Sequence, residues 1–552
     1  MKTKKATIPD LTNSALENCR IDPSYNGWFI RKLFLLRMLA VVLMGASLAL
    51  FLCSAGGLSY GDSAGSTPLS VTANPLFYPT FGTPNDALVT DDNAYVLVSV
   101  SGDATPCPGE PSPPPTTFTT GVQVFSTSDF TNNPCGSQQI INFPSSNHRD
   151  ETVQKIDGMQ FFPGSPQVSV GAAIERQGAE FFRLTSLTEP CGVGGVVNVP
   201  QRPVMNCANC PNCPPGSFDV AVTPDGQYAF VANEYGTLPS PTPATLIGGG
   251  TIGIIQIQRD GAGGFERRGT RPIAQNSTIY IPGGDTIPGI TISHDGLYLY
   301  AACEGSAEGI NPDTGNLYRD PTNARYTGNG VVLCPGCRYV VPSRPFDISN
   351  ACDNESKKGR TRNGLLAVID VDMAIKGMGQ ASIIRIIASG CSPVRAVETA
   401  DGQYVWVAAR GRNTILPLPP QQGASGSQVL GFNRSLLLSA PNDALVGYAD
   451  THGTAPVGLA LFNNDTLLAV ANSNRFHQNG ECRHPPPGVP PCTANVAIMD
   501  VSNPAEPTVK QTVPAYSNDA FPRNVTLGPD GSTLYVPNAD VDQLEVITTS
   551  VK

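Results

Sequence analysis

One phrase recurs along this chain and narrows what it can fold into. It reads FDVAVTPDGQYAFVANEYG at Phe218–Gly236, PGITISHDGLYLYAACEG at Pro288–Gly305 and PVRAVETADGQYVWVAARGRN at Pro393–Asn413. It returns as PVGLALFNNDTLLAVANSNR at Pro456–Arg475 and PRNVTLGPDGSTLYVPNADVD at Pro522–Asp542. Each copy is an apolar run, a turn of the Asp-Gly kind, and a second apolar run ending in small residues. The β-branched and aromatic composition of the runs suits buried strands. A glycine such as Gly226 supplies the positive φ that the turn demands. A single hairpin of this kind cannot bury both its faces, so the repetition predicts an array of stacked units.

A third strand-like run follows each hairpin: GVQVFST at Gly121, AEFFRLT at Ala179, GTIGIIQIQ at Gly250, GLLAVIDVD at Gly364, SQVLGFNR at Ser427, ANVAIMDVS at Ala494 and DQLEVITTS at Asp542. Two weaker hairpins, from Pro84 and from Gly158, bring the count to seven units. QQIINFP at Gln138, ASIIRIIASG at Ala381 and TVKQTVPAY at Thr508 read as fourth strands. The chain ends soon after the third strand of the last unit, and TPLSVTAN at Thr67–Asn74 is available to complete it. The expectation is therefore an all-β, seven-bladed β-propeller over 67–552, closed by an N-terminal strand, with Cys- and Pro-rich loop insertions. Closure of this kind removes the exposed sheet edges of an open array. A pair of sandwiches would not produce one recurring Pro-x(7)-[DN]-[GD] phrase, and a β-helix would repeat at a far shorter interval.

The first 58 residues differ. Lys2, Lys4, Lys5, Arg20, Arg31, Lys32 and Arg37 precede or enter an apolar stretch, and Met38–Leu58 carries no charge. This predicts a signal peptide or signal-anchor helix, with the basic side retained inside and the propeller outside the cytoplasm: periplasmic, secreted or membrane-anchored. The chain has a formal net charge of −10, and losing that basic segment would leave it more acidic still. Without basic clusters, nucleic acid is excluded as a partner, and a membrane is expected only through the N-terminal segment. A monomer is expected. Thirteen of the 15 cysteines follow Cys53, many of them between strands, which fits disulfides stapling long loops outside the reducing cytosol.

Chemistry is less legible. Cys207, Cys210 and Cys213 in CANCPNC and Cys334 and Cys337 in CPGC have metal-like spacing, but disulfides explain them as well, and no cofactor is expected. The five histidines form no ligand motif. No nucleophile elbow, Walker loop or dinucleotide fingerprint occurs. The first strand of each blade lines a propeller's central channel, so its polar residues are the candidate site: Asp86, Asp219, Arg395, Glu398, Arg523 and Asn524, with His452 just before one such strand. Two arginines and several carboxylates converging there fit an anionic or sugar-like ligand.

FDVAVTPDGQYAFVAN and NVTLGPDGSTLYVPN resemble the YVTN-type β-propeller repeat, and the chain from Thr67 to Lys552 is similar to the seven-bladed lactonase-like propellers, which include 6-phosphogluconolactonases. The motif speaks for the fold; it matches no catalytic residue of those enzymes to this chain. Two functions follow as expectations. One is an exported module binding a protein or carbohydrate-like ligand. The other is a lactonase-like hydrolase in which Arg395 or Arg523 polarises a lactone carbonyl and Glu398 or Asp219 activates water.

Overall fold

The computed structural model describes residues 70–101, 121–131, 141–142, 156–163, 169–174, 178–184, 193–199, 204–207, 210–213, 216–233, 250–257, 275–281, 286–304, 339–340, 342, 363–410, 427–474, 494–517 and 519–552. The expected N-terminal signal or anchor helix lies outside these residues. Among the described residues, no helix is long and apolar enough to cross a membrane.

Among the described residues, seven blade sheets follow one another along the chain, with one further two-stranded hairpin between the second and third. Their inner strands are Thr83–Val89, Ile156–Phe161, Ser217–Val222, Gly289–Ile292, Pro393–Glu398, Pro456–Phe462 and, in two short pieces, Phe521–Pro522 and Thr526–Leu527. We number the blades 1 to 7 in that order. Each inner strand pairs with the strand after its turn, and third and outer strands follow in sequence order except for the outer strand of blade 7. Blade 4 gains an extra edge strand, Tyr339–Val340, which runs parallel to its outer strand Ile383–Cys391.

The ring closes where the sequence indicates, with a shifted boundary. The outer strand of blade 7 is Val71–Pro79, paired antiparallel with Gln543–Val551 from Val71 opposite Val551 to Pro79 opposite Gln543. It begins later than the expected Thr67 and runs on through Pro75 and Pro79. Proline is tolerated there because this is an edge strand, where a missing N–H breaks no second ladder. Pro84, Pro393, Pro456 and Pro522 occupy the mirror situation on the inner strands, whose other edge faces the channel.

The core is a set of seams between blades. Leu97, Val124 and Phe182 join blades 1 and 2, and Phe181 packs with Val220 and Ile255 between blades 2 and 3. Phe230, Tyr300, Val407 and Phe432 belong to a larger cluster through blades 3, 4 and 5. Trp406 packs with Leu459 and Met499 between blades 5 and 6, and Phe462 with Leu534 between blades 6 and 7. Ala87, Val98 and Phe125 meet Tyr535, Leu544 and Val546 between blades 1 and 7, so the last seam joins the two ends of the chain.

Four of the turns share a hydroxyl that the apolar pattern hides. Thr223 Oγ1 donates to Asp225 and accepts the Tyr228 N–H at 3.0 Å, while the Gly226 N–H donates to the Thr223 carbonyl at 2.8 Å. Thr90 with Asp92 and Tyr95, Ser293 with Asp295 and Tyr298, and Thr399 with Asp401 and Tyr404 repeat the arrangement. The repeat is therefore better written as Ser/Thr-x-Asp-Gly/Asn-x-Tyr. The Asn of the second strand is structural too: Asn233 accepts from Ser217, and Asn472 accepts from Thr451 and donates to Asn495.

Starting the chain at residue 80 should remove the outer strand of blade 7 and expose the edge of Gln543–Val551. We expect a thermal midpoint lower by roughly 10 °C or more, or loss of a single cooperative transition, whereas a chain starting at residue 69 should unfold like the parent. Calorimetry on both truncations checks this.

Candidate functional site at the channel mouth

The strand register lines up one position in every inner strand. Asp86 stands opposite Ser99, Gly158 opposite Ala173, Asp219 opposite Ala232, Gly289 opposite Ala302, Arg395 opposite Ala408 and Gly458 opposite Ala471. Asn524 holds the same place in blade 7, two residues before Thr526, which pairs with Tyr535. Going round the ring, polar side chains at blades 1, 3, 5 and 7 alternate with glycines at blades 2, 4 and 6.

The alternation has a steric cause. A Cβ on Gly158 would lie 2.6 Å from Asp219 Oδ1, one on Gly289 2.3 Å from the Val394 carbonyl, and one on Gly458 2.7 Å from the Asn524 Cα. Each glycine lets the following inner strand approach, and that strand brings a polar residue. A β-bulge precedes the ring position in blades 1, 2, 3, 5 and 6 and re-aims the side chain.

The two ring carboxylates clasp neighbouring blades. Asp86 Oδ1 accepts the Ala87 N–H at 2.9 Å, and its Oδ2 accepts the Met159 N–H of blade 2 at 2.7 Å. Asp219 Oδ1 accepts the Val220 N–H at 3.0 Å, and its Oδ2 accepts the Ile290 N–H of blade 4 at 3.0 Å. Asn524 Nδ2 donates to Asp86 Oδ1 at 2.6 Å, tying blade 7 to blade 1. Burial pushes both carboxyls up, Asp219 to about 6, while the positive charge of Arg395 opposes the rise at each. Arg395 attracts both carboxylates without forming an ion pair. It hydrogen-bonds to no described residue, and its buried Nε has no partner among them.

The other candidates are occupied differently. Arg523 forms an ion pair with Asp157 of blade 2 at 2.5 Å, and its guanidinium lies 5.4 Å from the Phe521 ring centroid. Glu398 belongs to the seam between blades 4 and 5. Its Oε2 accepts the His294 N–H at 2.7 Å, its Oε1 accepts the Tyr300 hydroxyl at 2.8 Å, and Arg434 Nη1 stands 3.3 Å away. Arg434 also pairs with Asp295. The Tyr300 hydroxyl is pushed well above its usual range by burial and by the adjacent Glu398 charge. Both Glu398 oxygens thus have resident partners, as do both oxygens of Asp219, which leaves neither poised to activate water. His294, which reads as a solvated turn residue, sits in the same seam, with a ring nitrogen 3.2 Å from the Glu398 carbonyl. His452 adopts a positive φ of 53°, and its carbonyl accepts from Asn495.

Of the four candidate catalytic side chains, the fold brings Asp219 and Arg395 together with Asp86 and Asn524; Arg523 turns to Asp157 and Glu398 to the seam. Asp157, Tyr300 and Arg434 escape a reading of the sequence. Asp157 immediately precedes the degenerate hairpin GMQFFPG, and the periodicity there is too weak to mark an inner strand. Tyr300 and Arg434 lie on second-strand and post-third-strand positions that only packing brings to Glu398.

For the cysteines, the described backbone shows Val204–Cys207 paired with Cys210–Cys213, Cys207 opposite Cys210. Cys334 and Cys337 lie outside the described residues. Among the described residues, no group of three or more metal-ligating side chains gathers.

No family model and no curated protein matches this chain. Solved structures similar to it include a chain of "Crystal Structure of Mitotic Checkpoint Complex", at 10% identity and TM-score 0.45, covering 90% of this chain and 97% of that one. Another is a chain of Kuenenia stuttgartiensis hydrazine synthase, at 13% identity and TM-score 0.46, covering 90% of this chain and 100% of that one.

Because the folded Asp219 holds its proton up to about pH 6 and an ordinary aspartate only to 3.8, the native state binds more protons across that window. Stability contributed at this site therefore falls as pH rises from about 4 to 6, and the full cost persists above 6. Asp219→Asn should flatten that part of the pH profile, by roughly 3 kcal/mol at most. Urea unfolding of variant and parent between pH 4 and 7.5 measures the difference; parallel profiles would refute this assignment.

Proposed function

We propose that this protein is an exported, YVTN-type propeller that works as a binding module, with its recognition surface on the face where the inner strands begin. The observation that carries this reading is the placement of the insertions. In antiparallel four-stranded blades, the second-to-third strand connections share a face with the starts of the inner strands. Five of those connections are long: 102–120, 234–250, 304–362, 410–427 and 473–494. Four of the hairpin turns on the opposite face, in blades 1, 3, 4 and 5, are short and built to one pattern. The ring of Asp86, Asp219, Arg395 and Asn524 lies near the start of the inner strands, so the insertion roots and the polar channel mouth share one end of the molecule.

Two roots are tied together. Arg410, buried where one insertion leaves blade 5, pairs with Glu304, where another leaves blade 4. The Arg410 N–H donates to the Ser392 carbonyl at 3.0 Å, and the Glu304 N–H to the Thr286 carbonyl at 3.0 Å. Loops rooted on a rigid scaffold are the usual carriers of recognition. Export is supported by the basic-then-apolar N-terminal segment, by cysteine usage and by a disulfide at Cys391.

A lactonase-like hydrolase is the second reading, favoured by Arg395 lying in the field of a carboxyl that titrates near neutrality. Two assays separate the readings. The first is binding to a carbohydrate array and to candidate extracellular proteins, compared between the full chain and a chain with 475–493 replaced by a short Gly-Ser turn. The second is turnover of a panel of sugar lactones. Binding lost on loop replacement, with folding intact and no lactone turnover, is the expected result. Lactone turnover abolished by Arg395→Ala would overturn the binding-module reading. Fusing residues 1–66 to a reporter active only outside the cytoplasm tests export.

A further inference from the structure

The channel-facing edge of the inner strands carries a second regularity. The residue after each ring position sits at one ladder place: Ala87 opposite Val98, Met159 opposite Ala172, Val220 opposite Val231, Ile290 opposite Ala301, Ala396 opposite Val407 and Leu459 opposite Val470. In blades 1 to 4 the N–H of that residue leaves the ladder and is held by a carboxylate. Asp86 bridges the N–H groups of Ala87 and Met159, and Asp219 bridges those of Val220 and Ile290. Each resident carboxylate thus joins an odd blade to the next even one.

The third such pair, blades 5 and 6, has the same backbone and a different side chain. The ring residue of blade 5 is Arg395, and that of blade 6 is Gly458, so no carboxylate among the described residues meets the N–H groups of Ala396 and Leu459. Arg395 acts on Asp86 and Asp219 through its charge, and its buried Nε has no hydrogen-bond partner among the described residues. Against the Gly458 position, Asn524 is only 7% exposed, and its Oδ1 has no partner among the described residues. The site therefore offers a guanidinium fork and two backbone donors where the sister sites offer two backbone donors to an aspartate.

We propose that the seam between blades 5 and 6 at the channel mouth binds the carboxylate of a ligand, which takes the position that Asp86 and Asp219 fill in the sister seams. Arg395 supplies the charge and a fork that matches a carboxylate's two oxygens. The N–H groups of Ala396 and Leu459 add the contacts that their counterparts give to Asp86 and Asp219. The Asn524 Oδ1 accepts from a hydroxyl or amide donor next to the bound group. The surrounding charges are Asp86, Asp157 and Asp219 from blades 1, 2 and 3 and Arg523 from blade 7; no titratable side chain stands at the ring position of blades 4 or 6. Since the Asp219 charge repels an incoming anion, protonating that carboxylate strengthens binding, and affinity rises as the pH falls toward 5.5.

This deepens the channel-mouth reading above and rests on it for the site's access. The probe is trifluoroacetate, followed by fluorine NMR against the full chain at constant ionic strength, at pH 5.5 and 7.5. Saturable broadening is expected, stronger at pH 5.5, displaced by acetate, and weakened about ten-fold or more in Arg395→Asn, with a smaller loss in Arg395→Lys, which keeps the charge without the fork. A second arm displaces the probe with one hexapeptide carrying a free or an amidated C-terminus. Displacement by the free form at concentrations well below those of acetate identifies a peptide terminus as the source; equal potency identifies a small acid. Absence of saturable binding by the parent at pH 5.5, or an Arg395→Asn variant that folds and binds like the parent, overturns the proposal. If Arg395→Asn does not fold, Arg395→Lys and the parent's own titration decide it. Carboxylate binding that survives replacement of 475–493 while macromolecular binding is unaffected by that replacement sinks the insertion-face reading alone.

Discussion

Everything in this molecule depends on closing a ring of sheets, and closure rests on the antiparallel pairing of Val71–Pro79 with Gln543–Val551. Among the described residues, the buried apolar clusters span neighbouring blades. An open array would leave Ala87, Val98 and Phe125 on one end and Tyr535, Leu544 and Val546 on the other facing water. One strand from the beginning of the propeller completes the sheet at its end, and the last seam then forms like the others.

Closure creates a problem at the centre. Each inner strand has one edge hydrogen-bonded to its own blade and one edge on the channel, where N–H groups need acceptors. Asp86 and Asp219 meet that need for four blades and link them in pairs. The cost of holding carboxylates in a buried place appears as their raised proton affinity, and the unpaired Arg395 offsets part of it. Glycine at the intervening positions is what lets the blades come close enough for these clasps to form. Glu545, fully buried in blade 7 and pushed up to about 7, is a further carboxyl held by burial, its Oε2 accepting from Asn538.

Legibility tracked the range of the interactions. The seven third strands and the hairpins are local, carried by alternating apolar character and turn residues, and they stand where the sequence puts them. The fourth strands of blades 2, 3 and 5, at Val193–Val199, Gln275–Tyr280 and Leu445–Asp450, have weak patterns because outer strands need less apolar character. Inner-strand polarity correctly marks Asp86, Asp219, Arg395 and Asn524 as neighbours. The same rule misplaces Glu398, because a residue three positions beyond Arg395 on the same strand lies past the ring and meets Tyr300 and Arg434 of the adjoining seam.

The sequence by itself determined the repeat, the number of blades and the availability of a closing strand, since period-two hydrophobicity and turn chemistry are properties of neighbouring residues. The tertiary structure alone decided which polar groups are engaged. Whether Arg395, Arg523 or Glu398 keeps its hydrogen-bonding capacity depends on residues hundreds of positions away, such as Asp157 opposite Arg523, brought together by the ring. The alternation of polar residues and glycine around the channel is likewise invisible along the chain. It emerges only when seven inner strands, five of them offset by a bulge, are set side by side in register.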